Sequence, residues 1–281
     1  MGRYLCSTKE ESKYWLNWSF SGITTCIVIH VLFIYSNVLI AGFLIHRIFE
    51  RVWIRVLLLI VFELLAILSQ WSHIICMTSD PGCVPSDAIP LATATEDEKL
   101  SMCTKCNCFK PPRAHHCSEC GRCIVKMDHH CPWVNNCVGI ATMKFFILFL
   151  IYTFLYCTLA VILILSFYVH RMMVIEESNF LMMSGAVFVL FGFFFMMFTS
   201  VMFVDIIGVV RSGVTGIDAL KGIKVSSSSH QGLQEVFGGK GVFEWNWLIP
   251  VSPKWNDPEE ILQYRHKGVE VVVKDEWTVC D

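Results

Sequence analysis

Residues 103–137 read CTKCNCFKPPRAHHCSECGRCIVKMDHHCPWVNNC, from Cys103 to Cys137. Eight of the chain's fourteen cysteines and four of its ten histidines fall here, a density that packing does not require. Thiolate sulfur and neutral imidazole at such spacings suit a tetrahedral Zn²⁺. Two structural zincs take eight ligands, so four candidates are surplus. The pairs Cys103/Cys106 and Cys117/Cys120 can each grip one metal. His116, Cys123, His130 and Cys137 complete the sets, and spacing alone leaves their division between the metals open. Cys108, His115, His129 and Cys131 are left over. Cys131 is then a spare thiol beside a spare imidazole, His129, and a carboxylate, Asp128, the grouping of an activated nucleophile. For His129 to serve Cys131 from two positions away, the backbone is expected to turn there.

Outward from this stretch the chain is apolar. It has 281 residues, 54% hydrophobic and 16% charged, with net charge −2. That composition excludes an ordinary soluble domain, and the charge gives no bulk attraction to nucleic acid. The cysteine pattern reads as metal binding in a reducing compartment, not a disulfide framework. Met1–Ser21 carries charges and lacks an apolar run, so no cleavable signal peptide is expected. Four segments are long and apolar enough to cross a bilayer, at roughly Ile23–Ile45, Val52–Met77, Phe145–Val169 and Phe180–Val204. The fold expected is a mainly α membrane protein: four transmembrane helices with a cytosolic, two-zinc cysteine-rich domain between helices 2 and 3. The divisions are 1–22, 23–77 (helices 1 and 2), 78–144 (cysteine-rich domain), 145–204 (helices 3 and 4) and 205–281.

Charge sets the orientation. Three Lys and Arg lie in the first segment, seven in 78–144 and eight in 205–281, leaving four of 22 elsewhere. The positive-inside rule puts these three segments, and both termini, in the cytosol. Within the spans, Glu63 is costly unless paired or protonated. His30, His73, Asn37 and Gln70 read as hydrogen-bonding helix residues. Leu91–Leu100 is polar and expected to be a loop, Thr215 to cap a short helix, and Ser226–Ser229 to be a linker. Asn256/Asp257, Pro258 and Glu260 mark a helix start with Gly268 as its stop. Trp245, Trp247 and Trp255 suit either the membrane interface or a small core under the zinc module. Val269–Val273 has strand character.

The motif residues carry a resemblance. Asp128-His129-His130-Cys131 within its cysteine frame resembles the DHHC family of protein S-acyltransferases (palmitoyltransferases), over Cys103–Phe146. Asp80-Pro81-Gly82 is similar to the family's Asp-Pro-Gly motif. Thr215-Gly216-Ile217-Asp218 stands where the family has Thr-Thr-x-Glu, keeping one threonine and placing Asp for Glu. Gly232-Leu233-Gln234-Glu235-Val236-Phe237-Gly238 resembles a later motif, with Gly232 where the family usually has Asn. The resemblance implies the ligand division Cys103, Cys106, His116, Cys123 for one zinc and Cys117, Cys120, His130, Cys137 for the other. It also implies a multi-pass endomembrane protein, of the Golgi or ER membrane.

The chemistry follows from the grouping and its place. Cys131 is the expected nucleophile, His129 its base, and Asp128 the group that fixes the imidazole. Lying just before span three, Cys131 can meet palmitoyl-CoA (acyl-CoA) with its head in water and its chain in lipid. The acyl group then passes to membrane-proximal cysteines of substrate proteins. Lys110 and Arg113 are the expected contacts for the CoA phosphates. Both zincs have four protein ligands, so they are expected to be structural. Two rival readings are a membrane ubiquitin ligase, against which the five residues between Cys131 and Cys137 count, since such modules end on a further Cys-x-x-Cys pair, and a non-catalytic zinc scaffold. Tyr156, 11 residues beyond Phe145 on span three, is expected to close the end of an acyl cavity between spans and limit chain length, hydrogen-bonded to Ser36 on span one.

Overall fold

The computed structural model describes residues 4–10, 12–173, 179–223, 225 and 227–267. Gly268 and Val269–Val273 lie outside them. Among the described residues, four helices are long and apolar enough to cross a membrane, at Phe20–Ile48, Val52–Thr78, Met143–His170 and Gly185–Ser212. The first is α1 (Phe20–Leu39), which passes through a π-helical turn at Ile40–Leu44 into α2 (Ile45–Ile48). The others are α3 (Val52–Thr78), α5 (Met143–Met173) and α6 (Asn179–Ser212). Exposed Ile, Val, Leu and Phe crowd their surfaces, as a lipid-facing helix requires. The last helix does not stop at Val204. It carries Asp205 and ends eight residues on at Ser212, where Gly213 takes a positive φ of 70° and its N–H closes onto the Val209 carbonyl at 2.8 Å. A left-handed glycine ends the helix; one carboxylate does not.

The chain divides into two compact units. One comprises residues 27–72 and 147–205, the middles of the long helices. In it Tyr156 is fully buried, its ring stacked between Phe33 (centroids 4.7 Å apart) and Phe62 (4.8 Å), with its hydroxyl on the Ser36 hydroxyl. The Asn37 amide donates to the same hydroxyl at 3.2 Å, and Ser69 bonds Thr153 across helices at 2.7 Å. Phe33, Ser36, Thr153, Tyr156, Phe188 and Phe195 line a narrow cleft of ≈ 30 Å³.

The other unit, residues 1–26, 73–146 and 206–281, is built from short hairpins and helical turns. Parallel strands β1 (Tyr4–Ser7) and β2 (Ser12–Trp15) open it, and β3 (Ala88–Ile89) follows α3. Leu91–Leu100 is not all loop: α4 (Glu96–Lys99) starts from a capping box in which Thr95 and Glu98 bond each other's backbone N–H groups. Thr-x-x-Glu is the sequence signature of that cap. Three antiparallel pairs then follow: β4 (Met102–Cys103) with β5 (Cys108–Phe109), β6 (Ala114–Cys117) with β7 (Arg122–Val125), and β8 (His129–Cys131) with β9 (Asn136–Val138). After α6 come α7 (Gly216–Leu220), capped by Thr215, α8 (Ser229–Phe237), capped by Ser228, and α9 (Pro258–Leu262), capped by Asp257. The last ends where Gln263 turns left-handed (φ 61°), short of Gly268, and β10 (Arg265–His266) pairs β3. Val84, Phe109, Val125, Ile140 and Tyr264 form one apolar core with Trp255 packed on it. Trp15, Ile124 and Met127 form a second around Cys117, Cys120 and Cys137.

Candidate active site and metal clusters

Two of these three hairpins bring a histidine opposite a cysteine. Across β6–β7, His116 faces Cys123; across β8–β9, His130 faces Cys137. Each Cys-x-x-Cys pair forms a tight turn closed by the N–H of the residue that follows it, four positions after its first cysteine. Asn107 N–H bonds the Cys103 carbonyl at 2.8 Å and Gly121 N–H the Cys117 carbonyl at 2.9 Å. Both closing residues have positive φ (52° and 67°), which asparagine and glycine tolerate best. The structure thereby brings together the quartets Cys103, Cys106, His116, Cys123 and Cys117, Cys120, His130, Cys137, with ligand atoms in each within 4.8 Å of one another. Nδ1 of His130 lies 3.6, 3.5 and 3.6 Å from the sulfurs of Cys117, Cys120 and Cys137. Nδ1 of His116 lies 3.8 and 3.1 Å from those of Cys103 and Cys106. A tetrahedron with metal–sulfur bonds of about 2.3 Å and metal–nitrogen bonds of about 2.0 Å has edges of about 3.6 Å, so the quartets fit a tetrahedral metal ion. Hydrogen bonds from Cys120 and Cys137 hold the Cys117 thiol far below its ordinary range, and the reciprocal interactions push Cys137 far up. Such crowding of ionisable thiols is relieved by a cation.

Of the surplus residues, Cys108 packs in the apolar core, where burial raises its thiol to about 11. Of the other three, His129 and Cys131 lie on β8, and His115 lies on β6, where it meets Asp218 of α7. His129 and Cys131 belong to one strand, so period-two alternation puts both on one face and His130 on the other, toward its quartet. The expected turn is absent; a strand achieves the same approach. Asp128 Oδ2 accepts from His129 Nδ1 at 2.7 Å. Burial alone would lower the His129 pKa, but its bond to Asp128 and the influence of the nearby Cys131 thiol carry it up to about 9. The Phe146 ring meets the imidazole edge-on at 5.6 Å. Cys131 is 2% exposed.

Several contacts at this site carry no residue signature. The Gly216 N–H donates to Asp128 Oδ1 at 2.6 Å, so a backbone amide of α7 holds the carboxylate oxygen that His129 does not use. Asp218 closes the same turn, its N–H on the Thr215 hydroxyl, and is fully buried against Arg113 (2.8 Å) and His115 (3.2 Å). Arg113 also donates to the Gly213 carbonyl. Burial opposes ionisation of Asp218, but the bond from His115 and the Arg113 charge hold its pKa below the usual range. The shorter Asp at the family's Glu position therefore still reaches both partners. Lys110 is half-buried and beside His115 and His116, while Arg113 lines a cavity of ≈ 610 Å³. Buried Lys126 pairs with Glu235 of α8 at 2.6 Å.

The loop after Cys131 is held from several sides. Nε2 of His73 and Sγ of Cys26 meet the Trp133 carbonyl at 2.9 and 3.6 Å. Asn136, opposite Cys131 in the hairpin, donates to the Cys76 and Ser79 carbonyls and accepts from the Trp15 indole at 2.9 Å. Asn135 donates to the Asn17 carbonyl at 2.7 Å. The N-terminal segment thus packs on the hairpin that carries Cys131.

Known proteins carry the same pattern. Residues 96–223 match the family model for the DHHC palmitoyltransferase. The chain is 34% identical over 257 residues to palmitoyltransferase ZDHHC7 of Mus musculus, covering 85% of this chain and 82% of that protein. It is 36% identical to palmitoyltransferase ZDHHC3 of Homo sapiens, covering 73% of each. It is 36% identical to probable protein S-acyltransferase 12 of Arabidopsis thaliana, covering 70% of this chain and 74% of that one. With its four apolar helices, its two metal-ligand quartets and these relatives, the chain belongs to the DHHC palmitoyltransferase family and is a multi-pass membrane protein S-acyltransferase.

Proposed function

We propose that Cys131 carries the acyl group between palmitoyl-CoA and cysteine thiols of membrane-proximal substrate proteins. The observation that carries this reading is the placement of His129 and Cys131 on one strand face, with Asp128 on His129 at 2.7 Å and His130 turned to its metal quartet. His129 Nε2 removes the Cys131 proton. The thiolate attacks the thioester carbon, the bond to the CoA sulfur breaks, and the CoA thiolate leaves with a proton returned through His129. An acceptor thiol then repeats the attack on acyl-Cys131 and releases the Cys131 thiolate. Both bonds exchanged are thioesters, so the transfer is nearly isoergic, and rate comes from thiolate formation and positioning. Asp128, held on its other oxygen by Gly216 N–H, keeps the imidazole oriented.

The two quartets hold Zn²⁺ in this reading, because thiolate and imidazole donors in tetrahedral array select it. Four protein ligands leave no place for a catalytic water, so the metals shape the hairpins and take no part in the transfer. Lys110 and Arg113 contact the CoA phosphates, and the cleft beside Tyr156 receives the acyl chain by spreading its side chains. The cationic segments and both termini face the cytosol of a Golgi or ER membrane. The test is incubation with clickable palmitoyl-CoA. Cys131→Ser should retain about two zincs per chain and lose hydroxylamine-sensitive label; label at the wild-type level in that variant removes Cys131 from the reaction.

A further inference from the structure

Lys144 is the second residue of α5, yet its side chain is buried, with the residue 1% exposed. Its ammonium donates to the carbonyls of Asn246 (2.8 Å) and Val251 (2.9 Å). Both acceptors lie in the segment Val242–Val251, which is therefore pinned to the first turn of a membrane-spanning helix. The segment is apolar and faces outward. Trp245 is 80% exposed, Val242 64% and Phe243 55%, with Leu248, Ile249 and Val251 beside them. The rings are braced from behind: Trp247 stacks on Phe237 at 4.5 Å, and Phe243 meets both tryptophans edge-on. Trp255 takes no part, since its indole donates to the Glu235 carbonyl and it packs on the inner core. Exposed Lys240 and Lys254 flank the segment, and its one acid, Glu244, accepts from the Asn246 amide.

We propose that Val242–Val251 is an interfacial anchor whose exposed face enters the boundary between phospholipid headgroups and acyl chains, in the leaflet where α5 begins. The pin to α5 fixes its height there. Exposed tryptophan and phenylalanine suit that layer, where an apolar ring and a polar edge are both accommodated. The flanking lysines suit the phosphates above it. The inference rests on α5 crossing the membrane and not on the chemistry of Cys131, so acyl transfer and anchoring stand or fall separately.

The test places benzoylphenylalanine at Trp245 or, for comparison, at Leu100, which is as exposed but lies on the loop after α4. Full-length protein in nanodiscs of phosphatidylcholine and phosphatidylserine is irradiated and analysed by intact mass. A phospholipid adduct is expected with Trp245→benzoylphenylalanine and none with Leu100→benzoylphenylalanine. Absence of lipid adduct at 245, equal adduct at 100, or capture of protein in place of lipid at 245 overturns the anchor.

Discussion

Substituting Gly232 with alanine should dislodge α8. A Cβ at this position would lie 1.8 Å from the Val210 carbonyl oxygen and 2.9 Å from its carbon. Carbon and carbonyl oxygen approach no closer than about 3.3 Å, so α8 must retreat by about 1.5 Å. Both clashing groups are backbone, and no rotamer change relieves them. The same helix carries Glu235, paired with Lys126 at 2.6 Å, and the carbonyl that accepts from Trp255. A retreat of about 1.5 Å takes that ion pair to about 4 Å, beyond a charge-assisted hydrogen bond. Overpacking costs about 1–3 kcal/mol and loss of a buried pair adds to it, while the better helix propensity of alanine returns about 1 kcal/mol. The net destabilisation is about 2–4 kcal/mol. Gly232→Asn, the residue the family usually has here, should be at least as damaging in this chain. Thermal unfolding of each purified variant, with Cys131 loading measured beside it, reads the effect. An unchanged midpoint and unchanged loading in Gly232→Ala would refute the close-approach argument.

Three further outcomes are expected. Asp218→Asn should cost about 3–5 kcal/mol at neutral pH by leaving Arg113 unpaired in a largely buried place. Because the native pKa of Asp218 is held low, that advantage is complete above the ordinary carboxylate pKa and fades as pH falls through the native value; a variant-to-wild-type gap that persists unchanged in acid contradicts it. Tyr156→Ala should shift Cys131 loading toward longer acyl-CoAs, since the ring between Phe33 and Phe62 no longer closes the cleft, and an unchanged chain-length profile removes Tyr156 from it. Cys123→Ser should lose folded protein and not only metal, because metal binding and folding are linked; a folded variant lacking one metal would speak against that.

The spans were legible because about 20 consecutive apolar residues have few other uses. That eight of the Cys and His residues hold two metals was legible from the two Cys-x-x-Cys pairs, but spacing left their division open, and only the family resemblance supplied the interleaved quartets. The strand geometry of His129 and Cys131 was within reach too: a period of two separates them from His130, and a strand needs no turn to bring them to one face. The expected end of span four at Val204 falls eight residues short of the end of α6 at Ser212, where Gly213 turns left-handed. Other features had no local signal. The Gly216 amide on Asp128 is a backbone donor 88 residues away, and Trp15 meets Asn136 across 121 residues. Such partners depend on how the tertiary fold closes.

The ligand order along the chain has a consequence for assembly. His116 of one quartet is followed directly by Cys117 of the other, and Cys123 of the first lies between Cys120 and His130 of the second. Neither loop can close without drawing the ends of the other near. Metal loading in such an arrangement is expected to be all-or-none: the population should divide between empty and doubly filled chains, with the singly filled species scarce at every ratio of metal to protein, which native mass spectrometry across a metal titration would read. A chelator would then inactivate molecules one whole enzyme at a time, and the activity that survives partial stripping would belong to intact molecules working at full rate.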